Sequence, residues 1–178
     1  MTWIVLIAGV ALWAAAHLFK RVAPAARAQM GDKGKGLVAL ALAVSLILII
    51  IGYRTTPFIN VWYPPAVLTH IQNVIMIAAV FVFFVGKTKG YLASKVRHPM
   101  LTGVKIWAIA HLMVNGDLSS ILLFGGMLAW AVAEVVIINK QEPVWTKPET
   151  TRNGDIKAAV MGGVFYVVVV GIHVMTGH

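Results

Sequence analysis

Two short stretches of the chain carry the same chemistry-bearing side chains in the same frame: WAAAHL (residues 13–18) and WAIAHL (residues 107–112). In both, tryptophan and histidine are four residues apart, which puts them on one face of a helix. Both frames lie in apolar stretches, where an ionisable side chain is costly and marks a functional position. Neutral imidazole is a ligand for iron, zinc and copper. Two imidazoles on facing helices, His17 and His111, can supply both axial bonds of a b-type haem without covalent attachment. At 1.5 Å rise per residue their depths in upright helices differ by about 12 Å. Opposed axial ligands span about 12–13 Å between Cα atoms, so the pair lies near its limit.

The remaining histidines define a second tier. His70 and His173 fall near the outer ends of their apolar runs, and with His111 they form a cluster of more uniform depth. His98 sits at the inner entry to the fourth run, and His178 is terminal. For His70, His98 and His173 a hydrogen bond to interfacial water or headgroups is the competing reading. Gly103, Trp107, His111 and Asn115 recur every four residues as one stripe. Trp107 can flank a macrocycle or a polyene, or anchor at the membrane interface. Arg97 and Lys105 can pair with haem propionates, or snorkel to headgroups. Glu134 is the only acid within an apolar run, suited to pairing with a loop cation or to proton transfer. No HExxH spacing points to a hydrolytic metal site.

The elements that must position these groups are apolar helices. Charged residues make up 12% of the 178-residue chain, about half the usual share of a soluble domain. Six apolar runs, at about 2–19, 37–53, 66–86, 101–115, 118–138 and 156–176, predict an all-α polytopic membrane protein of six transmembrane helices in a single domain, 1–178. The fourth run is short. Pro64-Pro65 and Pro99 predict helix starts, Gly86 and Gly90 a stop, and Asp117 an N-cap for the fifth span. Thirteen of the fifteen basic residues fall in the loops after the first, third and fifth runs. Their placement predicts those loops in the cytoplasm and both termini on the non-cytoplasmic side. It also accounts for the net charge of +9 without a nucleic-acid partner. Membrane lipids are the expected partners, and the oligomeric state is left open. The first run lacks a basic amino end and reads as a retained helix, not a cleaved signal. The near-repeat in spans one and four suggests an inverted three-plus-three plan, which would also suit a transporter. With no cysteine, thiolate-bound haem, c-type attachment and iron–sulfur clusters are excluded.

The run RHPMLTGVKIWAIAHLMVNGDLSSILLFGG (residues 97–126) resembles the signature of the NnrU family of bacterial inner-membrane proteins. The resemblance extends to LWAAAHLFKRVAPAAR, GDKGKGL, Tyr53-Arg54, THIQN and INKQEPVW. That family is similar to the plastid 15-cis-zeta-carotene isomerases, membrane proteins with a haem b held by two histidines. The resemblance implies a multi-pass haem protein of the bacterial inner (cytoplasmic) membrane. It carries the two iron ligands onto His17 and His111 and the histidine of the HP motif onto His98. Family association with denitrification implies a role accessory to nitrite or nitric oxide reduction, with a nitrite or nitric oxide reductase system as partner. The alternative is a haem-dependent cis–trans isomerase of a carotenoid-like polyene. The chain departs from the isomerases at Ala108, where they have a cysteine, and at Leu18-Phe19, where they have small residues.

Overall fold

The computed structural model describes residues 2–176; His178 lies outside them. It is 79% helical, with no strand among the described residues. In chain order the helices are α1 (Thr2–Val22), α2 (Pro24–Gln29), α3 (Lys33–Thr55), α4 (Val67–Thr88), α5 (Pro99–Val114), α6 (Leu118–Gln141) and α7 (Gly154–Thr176), with a 3-10 turn at Tyr91–Ser94. Five of them (α1, α3, α4, α6 and α7) are long and apolar enough to cross a membrane. Helix α5 has 16 residues, about 24 Å, against a hydrocarbon core of about 30 Å.

Large apolar side chains point outward along these helices, among them Ile47 at 55% exposure and Val167 at 70%. In water such continuous apolar surface would drive association; in lipid it is the surface that faces solvent. The protein is therefore a multi-pass membrane protein. The termini of the helices follow local chemistry. Lys20 and Arg21 occupy the last turn of α1, opposite the partial negative charge of its carbonyl end. Pro99 opens α5, where its missing N–H costs nothing. Asp117 caps α6 as expected, accepting from the Ser120 amide at 2.9 Å and the Ser120 hydroxyl at 2.6 Å. Helix α4 departs from expectation: it runs through Gly86 to Thr88 and stops with Lys89 in the left-handed region at φ 52°.

The chain divides into two compact units. The first holds the chain up to Pro64 and Asn115–Lys140, so it contains α1, α2, α3 and most of α6. A polar clamp ties α3 to the start of α6, with Tyr53 to Ser120 and Thr56 to Ser119 both at 2.9 Å between hydroxyls. A strap ahead of α4 is pinned to the same turn: the amides of Val61 and Trp62 donate to the Gly116 carbonyl, and Leu118 N–H donates to Ile59. Satisfying these backbone groups matters most where water is excluded.

The second unit holds Pro65–Val114 and the chain from Gln141 on, so it contains α4, the 3-10 turn, α5 and α7. Its core includes Val85, Ala93 and Ala158, with Phe81, Phe84 and Leu92 packed against them. Phe84 of α4 meets Phe165 of α7 edge-on at 5.6 Å. Asp155, in the first turn of α7, accepts from the amides of Tyr91 at 2.7 Å and Leu92 at 3.4 Å. It thereby satisfies two N–H groups that the short 3-10 turn leaves open.

Candidate functional site

In the first unit His17 sits on α1, half-buried. Its Nδ1 donates to the Trp13 carbonyl oxygen one turn back, at 3.0 Å. A carbonyl only accepts, so the ring hydrogen is on Nδ1 and the neutral imidazole keeps its lone pair on Nε2. Aromatic rings hold the imidazole on two sides. The Trp13 indole lies 4.5 Å away and the Trp130 indole of α6 lies 4.6 Å away, between ring centres. The two indoles meet each other edge-to-face at 5.7 Å, the arrangement their quadrupoles favour.

Three buried polar atoms in this unit have no hydrogen-bond partner among the described residues: Trp13 Nε1, Trp130 Nε1 and Glu134 Oε2. Trp130 and Glu134 are one turn apart on α6, so they share a face. Each unmet group costs about 1–3 kcal/mol, which is why native proteins rarely keep one and why three together point to a polar occupant. The expected ion pair of Glu134 with a loop cation does not form among the described residues. Trp130 escaped the sequence reading because it lies 113 positions from His17, in a stretch with no histidine.

The second unit repeats the local geometry on α5. His111 Nδ1 donates to the Trp107 carbonyl at 2.9 Å, and the two rings are 5.1 Å apart. The repeat also proves longer than the six-residue frame. Gly9-Val10 precedes the first copy at the same distance as Gly103-Val104 precedes the second. Both glycines mark a close helix approach within their own unit. A Cβ on Gly9 would lie 2.8 Å from the Ile49 amide nitrogen of α3, and one on Gly103 would lie 2.8 Å from the Ala79 carbonyl of α4. The frame is therefore a packing device and a histidine carrier at once: the glycine seats the helix, and two turns later the anchored imidazole follows.

The other candidates are placed as follows. His173 on α7 is exposed and donates from Nδ1 to the Val169 carbonyl at 2.8 Å. His70 is exposed on the first turn of α4. His98 precedes α5, where its carbonyl accepts from the Thr102 amide. Among the described residues no three histidine, aspartate or glutamate side chains converge as a metal site. Arg97 lies at the head of α5 and donates to the Glu142 carbonyl. Lys105 is half-buried midway along α5. Trp107 lines an apolar recess with Phe83, Phe84, Gly103 and Phe165.

Comparison with known proteins agrees with the residues that carry the frame. The NnrU protein family matches residues 5–178, nearly the whole chain and both copies of the repeat. Neither a curated protein nor a solved structure matches. The chain belongs to the NnrU family.

Proposed function

We propose that this protein binds a haem b through His17 and His111, and serves nitrite or nitric oxide reduction as an accessory protein in the bacterial inner membrane. In this reading the chain crosses the bilayer six times, with α5 as the short crossing, the three basic loops in the cytoplasm and both termini outside. The observation that carries the proposal is the twice-built Trp–His frame, in which an anchored imidazole lies against the indole one turn back. Each histidine is tied through Nδ1 to the carbonyl four residues back, which fixes its tautomer and presents Nε2 as the lone-pair nitrogen. This is the preparation that a metal-bound histidine receives.

The donor set fits the group. Both ligands are neutral imidazoles, and no cysteine competes for the iron. The indole N–H groups of Trp13 and Trp130 are buried without acceptors, and propionates or an iron-bound ligand are acceptors. Bound haem supplies one-electron and diatomic-gas chemistry. The chain's own share is to hold the imidazoles, exclude water with Trp13 and Trp130, and carry the half-buried carboxyl of Glu134. The accessory role is preferred over the isomerase reading because Ala108, at the isomerases' cysteine position, is fully buried and offers no thiol.

The test is an absorption spectrum of full-length protein purified from cells supplied with a haem precursor, oxidised and then reduced. A Soret band with the sharp reduced bands of a six-coordinate low-spin haem is expected, and it should vanish in His17→Ala and in His111→Ala. Folded protein without a Soret band, before and after haem addition, refutes the proposal.

A further inference from the structure

The second unit contains two recesses stacked along one seam, and their linings differ in kind. The outer one, of ≈ 260 Å³, has Lys89, Arg97, Trp145, Thr146, Gly86 and Pro99 among its lining residues. The inner one, of ≈ 190 Å³, is apolar and aromatic, with Ala79, Phe83, Phe84, Gly103, Trp107 and Phe165 among its walls. Both border the closely packed seam between α4 and α5. A Cβ on Gly86 would meet Pro99 at the outer level, and one on Gly103 would meet Phe83 at the inner level. Ala79, Phe83 and Gly86 follow one face of α4, and Pro99, Gly103 and Trp107 follow one face of α5. The two levels are therefore about one helical turn, roughly 5 Å, apart.

Two cationic side chains, Lys89 and Arg97, line the outer recess. Lys89 has no ion-pair partner among the described residues, and Arg97 spends one N–H on the Glu142 carbonyl, which leaves further donors of its five. The segments that meet here, residues 87–97 and 141–157, also carry Lys87, Lys95, Lys147, Arg152 and Lys157, against Glu142, Glu149 and Asp155. Asp155 is already engaged by the Tyr91 and Leu92 amides. A second observation concerns the backbone. Lys89 ends α4 at φ 52°, a position where helices place glycine because a Cβ is disfavoured there. Keeping a lysine at a strained cap is explained if its ammonium is used.

We propose that this seam is a binding site for one anionic amphiphile, with a phosphate head between Lys89 and Arg97 and an apolar chain laid into the Phe83–Gly103–Trp107 recess. The arrangement fits a molecule entering from the membrane: the cationic recess lies beyond the carbonyl end of α4, and the aromatic recess lies one turn deeper among the apolar residues. Trp145 and Thr146 line the recess for the head, and Phe83, Phe84, Trp107 and Phe165 line the recess for the chain.

Native mass spectrometry of the full-length protein, released from micelles holding equal phosphatidylglycerol and phosphatidylcholine, tests this. One phosphatidylglycerol should be retained, with about tenfold preference over phosphatidylcholine. Lys89→Gly and Arg97→Gln should each reduce that retention about tenfold. Lys89→Gly should do so with an unlowered thermal midpoint, because glycine relieves the left-handed cap; loss of binding is then not loss of fold. Short-chain dihexanoyl phosphatidylglycerol should bind more weakly than the long-chain lipid, and millimolar inorganic phosphate should not displace the latter. Equal retention of the two lipids, or unchanged retention in both variants, overturns the proposal. Displacement by inorganic phosphate together with equal binding of short and long chains also overturns it, in favour of a soluble phosphate ligand.

Discussion

Replacing Trp130 by phenylalanine asks directly whether the His17 surroundings are built for a bound polar group. The indole is 6% exposed, lies against His17 at 4.6 Å with the rings tilted by 54°, and meets Trp13 at 5.7 Å. Phenylalanine keeps an aromatic ring there and removes Nε1–H, one of the three unmet polar atoms. Two effects of known sign compete. The smaller ring leaves about 40 Å³ unfilled, which at ~24 cal/mol per Å³ costs about 1 kcal/mol. Removing a buried N–H that nothing satisfies returns about 1–3 kcal/mol of desolvation penalty. If nothing polar binds near His17, Trp130→Phe is therefore neutral to stabilising by about 2 kcal/mol. If a bound group accepts from the indole, that hydrogen bond is lost too, and the variant is destabilised by about 2 kcal/mol. At 2–4 °C per kcal/mol the two cases differ by roughly 4–16 °C in thermal midpoint. The assay is thermal unfolding of the purified protein in detergent, followed by near-ultraviolet circular dichroism. We expect the haem-supplied protein to lose stability on substitution. A haem-supplied Trp130→Phe protein that melts at or above the wild-type temperature refutes the reasoning.

Other expected outcomes are checked as readily. In the haem-supplied protein His98→Ala should keep the spectrum that His17→Ala and His111→Ala lose; the opposite pattern moves the ligands. Gly103→Val should destabilise the second unit by about 1–3 kcal/mol or more, read as a lowered melting point, because its Cβ meets backbone at 2.8 Å, not a movable side-chain tip. Asp117→Ala removes the cap of α6 along with the 2.6 Å bond to Ser120 and should cost about 1–2 kcal/mol, measured the same way, with Asp117→Asn recovering most of it. Because the chain has no cysteine, Lys147→Cys is a single label site; a membrane-impermeant maleimide should reach it in inverted vesicles and not in intact cells. Labelling in intact cells reverses the topology.

Much of the fold is legible in the chain because helix formation and termination are local events. The apolar runs give α1, α3, α4, α6 and α7, Pro99 gives the start of α5, and Asp117 gives the cap of α6. The anchoring of His17 and His111 is legible too, since a histidine's reach to the carbonyl four residues back depends only on its own helix. What stayed hidden is which helix lies beside which. In a membrane protein the lipid-facing and protein-facing sides are both apolar, so the 3.6-residue period carries little information about the buried face. That Trp130 closes on His17, and that Tyr53 reaches Ser120, follows from packing between distant segments. Asp155 on the Tyr91 and Leu92 amides is a contact across 64 and 63 residues that no local pattern signals. Even the stop of α4 was settled this way. Glycines at 86 and 90 invited an earlier or glycine-capped end, yet the left-handed turn fell on Lys89, whose carbonyl accepts from the Thr151 amide ahead of α7. Sequence alone determined the long apolar helices and the two Trp–His frames; tertiary packing decided what surrounds them, because partner choice between uniformly apolar surfaces rests on shape and a few buried hydrogen bonds, not on hydrophobic pattern.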